Sequence, residues 1–131
     1  MDKYLYLPAI DDYAREIIKL AIELPEGKIG TKAKNELFTS SANVSSNYRL
    51  ACAEKPGEEL IDRLNITLQN IGISKFWLDF VKSENLLANN HLANLLSQSS
   101  TITDNILQIR NQEKANLEAT KSFAGEWLLD D

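Results

Sequence analysis

One cysteine, one histidine, three prolines and five glycines are spread over 131 residues, and each scarcity excludes something. A lone Cys52 cannot build a disulfide framework and points to a reducing cytoplasm. So little Gly and Pro leaves scant material for tight β-turns, which favours helices. There is no run of ~18 apolar residues, so no membrane span is expected. Met1-Asp2-Lys3-Tyr4 lacks the basic stretch and apolar core of a secretory signal. His91 has no second His or Cys at ligand spacing, so neither a metal nor a cofactor is expected. Cys52 has no evident base to activate it, so no catalytic residue is assigned and the chain reads as non-enzymatic.

Positive charge is also short. Fourteen Lys and Arg stand against nineteen Asp and Glu, a net of −5. Residues 113–131 carry five of the acids and two of the bases, so the end of the chain is acidic and the rest is nearly neutral. Proteins that live on nucleic acid need cations for phosphate contacts, so this balance disfavours RNA as a partner.

What the chain does have is helical periodicity, in four stretches. Pro8–Leu24 aligns Ile10, Tyr13, Ala14, Ile17, Ala21 and Leu24, with Pro8 suited to a first turn and Leu24-Pro25-Glu26-Gly27 as the stop. Thr31–Glu54 aligns Ala33, Leu37, Val44, Tyr48, Ala51 and Cys52, with Thr31 as cap. Its many small residues, Thr39, Ser40, Ser41, Ser45 and Ser46, permit close helix approach. Pro56–Lys82 places Glu58 and Glu59 in a first turn, where they complement the helix dipole. Asn89–Lys114 has Leu92, Leu95, Leu96, Ile106 and Leu107 as its main stripe, Ile102 and Ile109 off the edge, and Asn89 as cap behind Leu87. Short connections between long helices imply antiparallel neighbours. The expected fold is therefore all-α, an up-down-up-down four-helix bundle over residues 1–114. Residues 115–131 are expected to be an acidic tail. Its Trp127-Leu128-Leu129 would be a docking peptide, an arm on a neighbouring subunit, or a disordered end.

The third helix carries two apolar stripes. Leu60, Leu64, Leu68, Ile71 and Leu78 fall on one side, and Ile66, Ile73, Trp77 and Phe80 on roughly the opposite one, with Phe76 nearby. A surface helix of a monomer needs only one. The second stripe is either a subunit interface or is packed inside a single bundle; the interface is the preferred reading. Lys28, Lys32 and Lys34 form the one basic cluster, a solvated charge run or, repeated around an oligomer, a rim that attracts RNA.

Three segments resemble a known family. Asn43-Val44-Ser45-Ser46-Asn47-Tyr48-Arg49-Leu50-Ala51-Cys52, Leu60-Ile61-Asp62-Arg63-Leu64-Asn65-Ile66 and Phe76-Trp77-Leu78-Asp79 are similar, in order and spacing, to elements of the bacterial 23S rRNA intervening-sequence proteins. The resemblance implies a four-helix bundle assembled as a ring-like homopentamer, related to the accessory proteins of diversity-generating retroelements. Those bind a reverse transcriptase and its RNA through a strongly basic surface that this chain lacks. Asn47, Tyr48 and Arg49 are its most family-like residues; hydrogen bonding across helices is their expected role. Where the family has an Arg and a Ser this chain has Thr39 and Asn43, and where it has acids this chain has Gln69, Asn70, Gly72 and Ile73. That pattern implies ion pairs exchanged for apolar and amide contacts. The expected function is a non-enzymatic oligomeric assembly or adaptor protein; the alternative is a nucleic-acid-binding accessory subunit of a reverse transcriptase.

Overall fold

The structure, a computed structural model, describes residues 2–88 and 91–129, with side chains as far as Phe123. It is an all-α four-helix bundle, with no strand among the described residues. A short 3-10 helix, Lys3–Tyr6, leads into α1 (Leu7–Ile22), α2 (Lys28–Ala53), α3 (Glu58–Ser83) and α4 (His91–Leu129). Each helix packs on its neighbours in sequence, and α4 returns to α1 to close the bundle.

Local chemistry sets the helix ends. Pro8 lies in the first turn of α1, as expected, and Leu24 turns back into the core after the helix stops. The expected Thr31 cap is displaced: α2 begins at Lys28, capped by Gly27, whose carbonyl accepts the Thr31 N–H at 2.9 Å. Gly57 caps α3 in the same way, and both glycines hold a positive φ (115° and 147°) that side chains disfavour. The Pro25 carbonyl lies across the first turn of α2, so close to Gly30 that a Cβ there would stand 1.8 Å from its oxygen. At the far end of α3, Asn85 takes φ 51°, and Leu86 donates its N–H to the Val81 carbonyl at 3.1 Å, a Schellman-type stop. The expected cap Asn89 lies outside the described residues.

The apolar faces expected of α1 and α2 are buried in full. α3 buries Leu60, Leu64, Ile71 and Leu78 as expected, with Leu68 half-buried. α4 needs correction. Ile102 and Ile109 sit in the core rather than off its edge, and Leu96 and Leu107 are half-buried at its margin. The buried line is Leu92, Leu95, Ser99, Ile102, Ile106 and Ile109, steps of three and four that a serine interrupts. α3 follows the same rule through Leu60, Leu64, Thr67, Ile71, Ser74, Leu78 and Val81. Each buried hydroxyl has a partner. Ser40 of α2 meets Ser74 of α3 at 2.7 Å, Tyr13 of α1 meets Ser99 of α4 at 2.5 Å, and Thr67 donates to the Arg63 carbonyl at 2.8 Å. No buried side-chain polar atom among the described residues is left unsatisfied.

The break expected at Lys114 is absent: α4 runs through it unbroken to Leu129. At 1.5 Å per residue its 39 residues span ~58 Å, against ~39 Å for the 26 residues of α3. Lys121 pairs with Glu58, the first residue of α3, at 3.2 Å. The remainder of α4 therefore projects beyond the end of α3.

Candidate interaction surface

The second stripe of α3 lies on the outside of the bundle. Phe76 is 59% exposed, Ile73 38% and Ile66 37%, while Trp77 and Phe80 are half-buried. Helical spacing explains the division. Ile66, Ile73 and Phe80 recur every seven residues on the flank opposite Leu64, Ile71 and Leu78, and none of the three is fully buried. Trp77 sits between the two flanks. It packs against the core cluster, and Phe76 and Phe80 each meet it edge-on, with ring centroids 5.3 Å away. Such pairs contribute ~0.5–1.5 kcal/mol beyond their buried area. The outer stripe is therefore an ordered aromatic platform anchored in the core through one indole.

Asn47, Tyr48 and Arg49 point three ways. Tyr48 is buried and donates its hydroxyl to the Lys3 carbonyl, pinning the N-terminal 3-10 helix across the end of the bundle. Lys3 returns a bond from Nζ to the Glu54 carbonyl at 2.5 Å. Asn47 reaches α3: its Oδ1 accepts from Arg63 at 3.2 Å, and its Nδ2 donates back to the Asn43 carbonyl. Arg49 reaches α1 and pairs with Asp11, which also accepts from Ser45 at 2.6 Å. Asn43, at a position where the resemblance predicts a Ser, donates to Asn70, where it predicts an acid, at 3.4 Å, an amide contact between α2 and α3. Asn70 is itself buried and bonds the Ile66 carbonyl.

The three lysines at the start of α2 are not a uniform patch. Lys32 pairs with Glu36 at 2.7 Å, whereas Lys28 and Lys34 have no ion pair among the described residues. His91 is exposed at the start of α4. Among the described residues no group of three or more His, Cys, Asp or Glu side chains gathers as a metal site, and no helix is long and apolar enough to cross a membrane. Cys52 is buried, and its Sγ lies 3.8 Å from the Lys3 carbonyl. Burial pushes its thiol pKa up, which opposes the thiolate a nucleophile needs. Burial likewise raises the phenol of Tyr13 to about 12, and that of Tyr48 well above its ordinary value.

One further feature escaped the sequence reading. A groove of about 470 Å³ runs between α3 and α4, with Gly72 in its wall. Gly72 is exposed in the middle of α3, and a Cβ built on it would meet nothing within 4 Å. A glycine there costs ~0.5–1 kcal/mol relative to alanine, and no contact inside the molecule requires it. By sequence alone it stood out only as a departure from the acidic family pattern.

Comparison with known protein families, with curated proteins and with solved structures finds no match to this chain. The functional reading accordingly rests on the geometry and on the segment resemblances given above.

Proposed function

We propose that this protein is a non-enzymatic assembly or adaptor protein, a four-helix bundle that associates with its own copies through the outer face of α3. The observation that carries this reading is the exposed run of Ile66, Ile73 and Phe76 beside the half-buried Trp77 and Phe80. Contiguous apolar surface on a bundle that already has a complete core is best accounted for by a further helix lying over it. A homopentamer is the stoichiometry that the segment resemblance favours. The assembled particle then offers a repeated surface to a protein partner. The buried, unactivated Cys52 fits both a reducing cytoplasm and a protein that does no chemistry.

Sedimentation tests this directly. The wild-type protein is expected to sediment as an oligomer, and Ile66→Asp/Ile73→Asp to fall to a smaller species with its helical circular dichroism intact. Trp77→Asp should do the same, at some cost to the fold because the indole also packs on the core. An unchanged assembly in the double variant rejects the reading.

One observation favours the nucleic-acid accessory reading: Lys28 and Lys34 carry no ion pair among the described residues. Salt-dependent retention of RNA, lost in Lys28→Glu/Lys34→Glu, would support it. Absence of binding at low salt would leave the assembly reading alone.

A further inference from the structure

Gly72 is exposed in mid-helix, and the bundle itself has no use for it. The groove it belongs to is lined by residues of α3 and α4. Half-buried Leu68 and Leu107 give it an apolar base, and Ser100 and Thr103 face Gly72 from α4. Small residues on both walls let another backbone come close. The rim carries Lys75, Arg110 and Asp104, a net positive charge. Arg110 bonds the side-chain oxygen of Asn65 at 3.1 Å and that of Asn111, both uncharged amides. Neither Arg110 nor Lys75 has an ion pair among the described residues.

The chain itself contains a helix of complementary character. Residues 113–131 carry five acids against two bases, and Trp127-Leu128-Leu129 stands between Glu126 and Asp130. The α4 backbone stays helical to Leu129, past the end of α3, and Phe123 is 62% exposed. Because α4 is unbroken, Trp127 lies ~25 Å along its axis from Arg110 and cannot return to its own groove. Another copy is needed to bring the two together.

We propose that the projecting end of α4 docks as a helix into the α3–α4 groove of a second copy, passing over Gly72, with its acids against Lys75 and Arg110. The groove borders the stripe at Phe76, one turn from Gly72, but lies on a different flank of α3 from Ile66, Ile73 and Phe80. The contact therefore goes beyond the interface proposed above and does not depend on it.

Full-length protein in ¹⁴N and ¹⁵N pools, unfolded together and refolded, is treated with a zero-length carbodiimide, which joins a carboxylate to an adjacent lysine amine. The expected product joins Lys75 to Glu126, Asp130 or Asp131 in mixed-isotope pairs. In Gly72→Gln, whose added side chain fills the passage, that product is expected to fall at least tenfold. A thermal midpoint at or above wild type shows that this variant is folded, since glutamine is the better helix former. Products in same-isotope pairs only, products unchanged by Gly72→Gln, or no product at Lys75 each overturn the proposal. Ile66→Asp/Ile73→Asp separates the two surfaces. A Lys75 product that persists in it sustains the groove contact even if the stripe reading fails. A wild type that sediments as an oligomer without the product overturns the groove contact alone.

Discussion

The hydroxyl of Tyr13 lies 2.5 Å from that of Ser99, joining α1 to α4 across 86 residues of chain. Ser99 spends its own proton on the Leu95 carbonyl at 2.9 Å, so Tyr13 is the donor of the pair. The phenol is buried in the core, and its protonated form is the one this arrangement accommodates.

Stability should therefore decline in alkali. Burial raises the Tyr13 pKa from 10.0 to about 12, so the folded state holds a proton that the unfolded state releases first. The associated stabilisation is complete below pH 10 and is lost as pH climbs through about 12, at ~1.4 kcal/mol per pH unit. Burial of Tyr48 and Cys52 acts in the same direction. A series of urea midpoints over this range should show the fall, and Tyr13→Phe should make it shallower. A level profile would contradict the assignment.

Two glycines in helices should respond oppositely to alanine. At Gly30 the new Cβ meets the Pro25 carbonyl oxygen at 1.8 Å and its carbon at 2.9 Å, so backbone must move. A loss of ~2–3 kcal/mol is expected. At Gly72 the Cβ enters open space, and a gain of ~0.5–1 kcal/mol should raise the melting temperature by ~2–4 °C. Thermal melts of the two variants at low concentration decide the matter.

Ser40 and Ser74 should be unequal to the sum of their parts. Truncating either one leaves the other hydroxyl buried without its 2.7 Å partner, a cost of ~1–2 kcal/mol. Removing both leaves no orphan, so the double alanine variant should lie well short of the two single losses combined. A double-mutant cycle in urea measures the difference.

Association through α3 also couples stability to concentration. The wild-type melting temperature should rise with protein concentration, because the oligomer binds only folded copies. In Ile66→Asp/Ile73→Asp that dependence on concentration should be clearly weaker. Calorimetry across a hundredfold dilution checks both.

The faces of α1 and α2 could be read from the sequence because apolar residues recur there without interruption at helical steps: Ile10, Tyr13, Ile17 and Leu24, then Ala33, Leu37, Val44 and Tyr48. The outer stripe of α3 could be read for the same reason. α4 misled. Its true line contains Ser99, and a purely apolar count moves to Leu96 and Leu107 instead. Gly27 and Gly57 are not legible as caps in the sequence, since their role depends on a backbone angle rather than on a side chain.

Helix number, helix order and the presence of two apolar flanks on α3 follow from the sequence alone, because periodicity is a local property of the chain. Which hydroxyls could be buried was decided only by the tertiary structure. Ser40, Ser74 and Ser99 are compatible with a core only where another helix delivers a hydrogen-bonding partner, and that partner lies 34 or 86 residues away. The same holds for the open flank of Gly72. An empty space beside a glycine exists only once the neighbouring helix has taken its place and left that side bare.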